Sequence, residues 1–155
     1  MTPVGSTTSP MARALAEAEG AALAGDVPVG AVVVDAQGHV VAAAANQVRR
    51  QGDPTAHAEM LAIREATREL GAERLVDCDL YVTLEPCAMC AQAISLARIR
   101  RLFFGAADPK GGAVEHGPRL YSLATCHHRP EVYGGIDEAR AAELLRRFFA
   151  TRRSD

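Results

Sequence analysis

Three side chains that suit zinc lie in two short motifs of this chain. His57 opens a His-Ala-Glu triplet that ends at Glu59, and after 26 intervening residues the run P-C-A-M-C extends from Pro86 to Cys90. One imidazole and two thiolates suit a tetrahedral zinc ion and leave its fourth position free for water. A carboxylate two residues from the histidine would place a proton carrier beside that water. The two motifs together predict a metal-assisted hydrolase rather than a zinc ion that only stabilises a fold.

Each motif also has a structural interpretation. A single CxxC can be a redox pair, and free cysteines are often simply buried as small hydrophobic residues. A closed structural zinc site would need a fourth ligand, for which the chain offers Cys78, Cys126, His116, His127 and His128. However, the last two histidines lie in a polar stretch typical of a loop, and no second CxxC is present. The joint spacing therefore favours the catalytic interpretation.

The two motifs resemble those of the zinc-dependent nucleoside and nucleobase deaminases. The longer strings DPTAHAE, from Asp53 to Glu59, and LYVTLEPCAMC, from Leu80 to Cys90, are similar to the bacterial tRNA adenosine deaminases within that superfamily. The similarity continues through residues 97–99, 104–106 and 146–149. It thus covers nearly the whole chain after the first ten residues.

The resemblance implies hydrolysis of adenosine to inosine at the wobble position of a tRNA, chiefly an arginine tRNA. It implies one zinc ion per chain, held by His57, Cys87 and Cys90. Glu59 would carry protons from the water to the base and to the leaving amino group. The base would leave a single-stranded anticodon loop and enter a pocket.

Two residues outside the zinc motifs are implied to contact the substrate. By resemblance, Asn46 helps to hold the base or its sugar, although asparagine after a strand is often only a turn former. Asp108 is either a turn residue or part of the substrate rim. Glu85, which precedes Pro86, is expected to be a structural carboxylate at a helix start rather than a second catalytic acid.

Two other functions remain open. One is a metabolic deaminase of a free base or nucleoside, of the guanine or cytidine type. The other is a catalytically idle RNA-binding or partner subunit that keeps the fold, and the intact zinc motifs argue against it. Charge alone does not decide, because residues 98–155 carry 11 Lys and Arg against 7 Asp and Glu, whereas residues 1–97 carry 6 against 12. The basic end could bind a polyanion or merely solvate the last helix.

Length and composition limit the architecture. With 155 residues, of which 48% are hydrophobic, the chain is expected to form one globular domain over residues 10–155 after a small, polar and disordered tail at residues 1–9. The sequence has no apolar run near the length of a membrane span. Four cysteines, two of them in the CxxC motif, favour a reducing cytoplasm over a disulfide framework.

The hydrophobic pattern predicts alternating strands and helices. We expect helices over Pro10–Ala24, Thr55–Leu70, Cys87–Ala97 and Asp137–Thr151, and strands over Val29–Val34, Val40–Ala45, Leu80–Leu84, Arg101–Gly105 and Glu131–Tyr133. This order predicts an α/β domain, and the resemblance implies a three-layer α/β/α cytidine-deaminase-like fold with a mixed sheet of about five strands. The helix after Cys87 is apolar almost all round and therefore needs cover on several sides. The resemblance implies a homodimer, to which this helix could contribute.

One feature of the first motif conflicts with a regular helix. Residues two apart on an α-helix project about 200° from each other, so His57 and Glu59 should not share a face. Thr55 is a plausible N-cap of their helix. We expect the helix end and the length of the glutamate side chain to bring both groups to one site.

Overall fold

The computed structural model describes residues 8–153, so residues 1–7 of the expected disordered tail lie outside the described residues. Helices occupy Pro10–Leu23 (α1), Val48–Gln51 (α2), Ala58–Leu70 (α3), Ala88–Leu96 (α4) and Glu138–Arg153 (α5). Strands occupy Gly30–Val34 (β1), Val40–Ala45 (β2), Asp79–Leu84 (β3), Arg101–Ala106 (β4) and Glu131–Tyr133 (β5), and a 3-10 turn covers Leu120–Ser122. No helix among these is long and apolar enough to cross a membrane.

The five strands form one mixed sheet in the order β2-β1-β3-β4-β5. Strand β1 is antiparallel to both β2 and β3, whereas β3, β4 and β5 are mutually parallel. Helices α1 and α5 cover one face of the sheet, and α3 packs on the other face with α4 against it. The predicted three-layer α/β/α arrangement with a mixed sheet is confirmed.

The sheet directions bring four chain segments to one edge. The parallel strands β3 and β4 both end there, so the residues after Leu84 and after Ala106 lie side by side. Because β1 is antiparallel to β3, its beginning at Gly30 lies at this same edge, opposite the end of β2 at Ala45. Loops at the carboxyl edge of parallel strands commonly carry binding residues.

Close contact between α1 and the sheet depends on one glycine. A Cβ atom on Gly30 would lie only 2.0 Å from the Ala14 carbonyl oxygen. The helix therefore lies directly on β1, and Met11, Ala14 and Leu15 are buried against Val32. An alanine at position 30 would force α1 away from the sheet.

Two details of the helices differ from the expectation. Helix α3 begins at Ala58 with His57 as its N-cap, so the prediction of Thr55 as the cap was wrong. The physical reason is that Asp53 forms its own turn, in which its carboxylate accepts hydrogen bonds from the backbone N–H and the hydroxyl of Thr55. The short helix α2 was not predicted from the sequence.

Candidate active site

The three predicted ligand side chains come from the beginnings of two helices. His57 is the N-cap of α3 and Cys87 is the N-cap of α4, both with extended backbone, and Cys90 lies in the first turn of α4. The His57 side chain makes no capping bond to its own helix. Its Nδ1 atom instead points at both sulfurs across the sheet edge.

The distances between the ligand atoms fit a zinc ion. His57 Nδ1 lies 3.6 Å from Cys87 Sγ and 3.5 Å from Cys90 Sγ, and the three atoms all lie within 4.8 Å of one another. Zn–N bonds of about 2.0–2.1 Å and Zn–S bonds of about 2.3 Å at a tetrahedral angle would place nitrogen and sulfur about 3.6 Å apart. Among residues 8–153 this is the one such cluster of His, Cys, Asp or Glu. One zinc ion per chain fits this donor set.

Helix geometry explains how His57 and Glu59 share the site. His57 precedes the helix with φ −73° and ψ 149°, whereas Glu59 lies in its first turn. The 200° rotation of a regular helix therefore does not separate them. Glu59 is 4% exposed, and its carboxylate interacts with the Cys90 thiol. Burial raises the pKa of Glu59 to about 7, so its carboxylate is easily protonated near neutral pH.

The two thiols of the CxxC motif differ strongly in acidity. Hydrogen bonding from the Cys90 thiol lowers the pKa of Cys87 to about 4, with His57 and the Cys90 backbone N–H also contributing. The same thiol pair raises the pKa of Cys90, which is also buried. One thiolate is therefore present before metal arrives, and binding through both sulfurs releases a proton.

A cavity of about 290 Å³ opens beside these groups. Its lining consists of Asp26, Val27, Val29, Asn46, Val48, Arg49, His57, Glu59, Leu84, Glu85, Cys87, Asp108 and Gly111. This volume is near the lower end of the range for small-molecule sites. It suits a single flat base better than a large ligand.

The structure places both predicted substrate residues in this cavity. Asn46 follows β2, is 7% exposed, and donates its backbone N–H to the Val29 carbonyl oxygen. The Asp108 carboxylate accepts hydrogen bonds from the backbone N–H groups of Lys110 and Gly111, as a turn former would. Asp108 thus closes a turn and lines the cavity at once. The lining also includes residues that no sequence pattern predicted: Asp26, Val27, Val48 and Arg49.

Glu85 organises the loop that carries Asp108. Its side chain is fully buried and accepts hydrogen bonds from the backbone N–H groups of Asp108, Val114, Glu115 and His116. The His116 Nδ1 atom lies 2.8 Å from the same carboxylate. These bonds hold the pKa of Glu85 below its ordinary value despite the opposing effect of burial. Glu85 is therefore a structural carboxylate, but it acts on this loop rather than on the start of α4.

Three of the other candidate zinc ligands, His116, Cys126 and His128, are engaged elsewhere. His116 pairs with Glu85, and His128 Nε2 lies 2.6 Å from the Ile99 carbonyl oxygen. The Cys126 thiol donates to the His128 carbonyl oxygen. A closed four-ligand site is therefore not formed by the described residues.

A larger depression of about 920 Å³ lies elsewhere on the surface and contains none of the three candidate zinc ligands. It is lined by Arg64, Thr67, Arg68, Gly71, Ala72, Glu73 and Arg74.

The basic C-terminal helix is largely committed to its own packing. Arg146 and Arg147 both pair with Glu143, and the Arg152 guanidinium lies 4.1 Å from the centre of the buried Phe148 ring. Arg152 also donates to the Gly25 carbonyl oxygen, which ties α5 to the end of α1. These contacts favour a structural role for the three arginines.

Comparison with known proteins agrees with this geometry. The family described as the cytidine and deoxycytidylate deaminase zinc-binding region matches residues 6–106. The tRNA-specific adenosine deaminase of Agrobacterium fabrum is 57% identical over 145 residues, which cover 94% of this chain and 95% of that protein. A solved structure from a study of A-to-I editing by tRNA:A34 deaminases is also 57% identical, with a TM-score of 0.86, and the match covers 88% of this chain and 98% of that one.

A more distant solved structure belongs to a different kind of deaminase. The guanine deaminase of Nitrosomonas europaea is 25% identical with a TM-score of 0.78, and the match covers 91% of this chain and 83% of that one. The zinc-binding family is thus matched over more than half of the chain, and a relative matches almost all of it. The chain belongs to the cytidine and deoxycytidylate deaminase family and is a zinc-dependent hydrolytic deaminase.

Proposed function

We propose that this enzyme converts adenosine to inosine at the wobble position of a tRNA, chiefly an arginine tRNA. The observation that carries the proposal is the buried Glu59 carboxylate beside the His57, Cys87 and Cys90 donor set, at the end of a cavity sized for one base. Nearly full-length identity of 57% to a tRNA-specific adenosine deaminase supports the RNA substrate.

Three side chains are proposed to hold the zinc ion: His57, Cys87 and Cys90. Bound zinc lowers the pKa of a coordinated water to about 7 and so supplies a nucleophile at neutral pH. The raised pKa of Glu59 suits a group that both takes up and releases protons at neutral pH.

Glu59 is proposed to move each proton of the reaction. Its carboxylate accepts a proton from the attacking water and delivers it to the neighbouring ring nitrogen as oxygen adds to C6 of the adenine. The proton left on the added oxygen then passes through Glu59 to the amino group, and ammonia leaves as the carbonyl of inosine forms. Water and adenosine are consumed, and inosine and ammonia are produced, so no further reactant is needed.

Asn46 and Asp108 are proposed to orient the flipped nucleoside. Asn46 is held at the end of β2 by its backbone bond to Val29, and Asp108 is held by Glu85 through the loop. Rigid support of this kind is what positioning groups need. Each lies in the lining of the cavity that contains Glu59.

A free-base deaminase is the second candidate. The similarity to a guanine deaminase structure favours it, because that enzyme shares the fold at 25% identity. A cavity of about 290 Å³ would also admit a free purine. The two candidates differ in where binding energy comes from, since only an RNA can add contacts outside the cavity.

Identity of the RNA can be tested directly. Unmodified transcripts of bacterial tRNAs, each with adenosine at the wobble position, are incubated with the zinc-loaded enzyme and sequenced as cDNA, in which inosine is copied as guanosine. Conversion at the wobble adenosine of arginine tRNA, with other adenosines unchanged, is expected. Conversion of all exposed adenosines, or of none, would contradict the proposal.

The oligomeric state, the domain organisation and the cellular compartment of the enzyme are also part of the proposal. We infer a homodimer that uses the α3–α4 surface, because Leu96 on α4 is 62% exposed and shares a depression with Ile63 and Ala93. We further propose that residues 10–155 act as one domain and that the enzyme works in the cytoplasm, where tRNA is found.

A further inference from the structure

The short helix α2 cannot be stable by itself. It contains only four residues, Val48–Gln51, and its N-cap Gln47 makes no side-chain capping bond. Isolated helices much longer than this are marginal in water. Yet α2 forms part of the cavity wall through Val48 and Arg49. Another part of the chain must therefore hold it in place.

Asp26 supplies the missing cap from 23 residues away. Its carboxylate accepts the backbone N–H of Arg49 at 2.7 Å and that of Arg50 at 3.4 Å, and it pairs with the Arg50 guanidinium at 3.5 Å. These N–H groups are the second and third of the helix, which an ordinary N-cap side chain would satisfy. The Asp26 side chain is only 1% exposed, so the cap is shielded from water.

Asp26 is itself fixed by the end of α1. Its backbone N–H donates to the Ala21 carbonyl oxygen at 2.9 Å. At the other end of α2, Gly52 adopts a left-handed conformation with φ 60° and closes the helix. The position of α2 is thus set by Asp26, which the end of α1 holds in place.

Arg49 is the one Lys or Arg among the residues that line the cavity. Asp26, Glu59, Glu85 and Asp108 also line it, so a phosphate at the cavity mouth would meet a mainly acidic surface without Arg49. Arg50 is paired with Asp26, whereas within residues 8–153 the Arg49 guanidinium has no ion pair. Arg49 is exposed and available to an anion from outside.

We propose that Arg49 binds a phosphate of the RNA backbone next to the flipped nucleotide, and that Asp26 is the positioning residue that presents it. This inference rests on the proposed tRNA substrate, because a free base carries no phosphate. Guanidinium groups bind phosphates through charge-assisted hydrogen bonds, which are among the stronger ones. A fixed α2 would hold this contact at one distance from the base.

The first test compares Arg49→Ala with Arg50→Ala on an anticodon stem-loop. We expect Arg49→Ala to raise KM roughly 10-fold with little change in kcat, since a contact outside the reacting atoms acts on binding. The slope of log KM against log salt should fall by about 0.7, the value for one phosphate contact to a single strand. Arg50→Ala removes the same charge from the neighbouring position and should leave this slope unchanged.

The second test asks whether Asp26 acts through Arg49. Asp26→Ala should raise KM as Arg49→Ala does, and Asp26→Asn should restore much of the loss because an amide oxygen can still cap α2. The KM of the double variant Asp26→Ala/Arg49→Ala should be no higher than the higher KM of the two single variants, since both substitutions remove the same phosphate contact. Zinc content and melting temperature are measured in parallel to show that each variant is folded.

The outcomes separate this inference from the substrate proposal. If the parent enzyme does not deaminate the stem-loop, the substrate proposal fails and this inference fails with it. If the parent does so but Arg49→Ala keeps the full salt slope, the phosphate contact alone is refuted. If the effects of Asp26→Ala and Arg49→Ala multiply, Asp26 does not act through Arg49.

Discussion

Glu59 combines two properties that seldom occur together, almost complete burial and an ionisable side chain. A carboxylate in that position is unfavourable unless a positive ion or a proton compensates it. A zinc ion on His57, Cys87 and Cys90 would provide the compensation. Without such compensation, the buried carboxylate of Glu59 lowers the stability of the metal-free fold.

Substitution of Glu59 by glutamine should separate zinc binding from catalysis. The amide has nearly the same shape but cannot carry protons, so turnover is expected to fall by at least ~10² to 10⁴-fold, the usual loss for one general acid or base. Metal analysis should still find one zinc ion per chain in Glu59→Gln. Cys87→Ala is the matched control, in which zinc content should drop. Near-normal turnover in Glu59→Gln would show that another group moves the protons.

The raised pKa of Glu59 also predicts how the metal-free protein responds to pH. Its ordinary value is 4.5 and burial raises it to about 7. Between these values the folded state holds a proton that the unfolded chain releases, so stability falls as pH rises. Above about pH 7 the accumulated cost should level off at on the order of 3 kcal/mol.

Denaturant unfolding of zinc-stripped protein at several pH values measures this cost. The free energy of unfolding of the parent should fall relative to that of Glu59→Gln from about pH 4.5 to about pH 7, because glutamine does not titrate. Zinc should diminish the difference by stabilising the carboxylate. Two curves that stay parallel across this range would mean that Glu59 is not desolvated in the folded protein.

At the scale of elements, the site depends on loops that are fixed by buried carboxylates. Glu85 ties residues 108–116 to the end of β3, and Gly112 lies so close that a Cβ atom there would be 2.5 Å from the Glu85 carboxylate. The loop therefore has one conformation around this anion. Asp108 is held at the cavity because its own backbone is one of the donors.

Replacing Glu85 by glutamine should loosen this loop. The amide NH₂ group would face backbone donors and leave at least one N–H unsatisfied, which costs about 1–3 kcal/mol. Thermal unfolding should show a lower melting temperature, while zinc content stays at one per chain. Glu69→Gln, on the exposed side of α3, is the matched control and should have almost no effect. Equal melting temperatures for the two variants would contradict the structural role of Glu85.

Regular elements could be predicted from sequence, whereas their long-range supports could not. The strands followed from β-type runs such as Val29–Val34, and the observed β1 differs by one residue at its start. Helix α2 has too few residues to show a period, and its cap comes from Asp26, which is distant in the chain. Thr55 was mistaken for an N-cap because its turn with Asp53 gives the same local signal. The extended backbone of His57 likewise has no sequence pattern.

At the scale of the whole molecule, one sheet edge gathers every group of the site. His57, Cys87 and Asp108 follow different elements, yet the directions of β1 to β4 bring them around one cavity. The residue types and spacing were sufficient to predict that the donor atoms of His57, Cys87 and Cys90 lie together, with Glu59 beside them. The excess of basic residues near the C-terminus was less useful for predicting an RNA-binding surface, since Arg146, Arg147 and Arg152 make contacts within the protein.

The proposed homodimer gives a further prediction at this scale. Leu96→Glu places a charge on the α3–α4 surface and should shift the protein towards monomer in analytical ultracentrifugation. Leu23→Glu, on the C-terminal end of α1, is the control, because Leu23 is also highly exposed, at 91%, but lies on the other face of the sheet. A parent protein that sediments as a monomer would contradict the dimer.

A single ratio of rate constants distinguishes an RNA substrate from a free base or nucleoside. Values of kcat/KM are measured for the zinc-loaded enzyme on an anticodon stem-loop with a wobble adenosine and on free guanine, with cytidine and adenosine alongside. We expect a preference for the stem-loop of several orders of magnitude, because a small cavity must gain affinity from contacts outside it. Efficient turnover of free guanine or cytidine with no reaction of the stem-loop would contradict it and identify a metabolic deaminase.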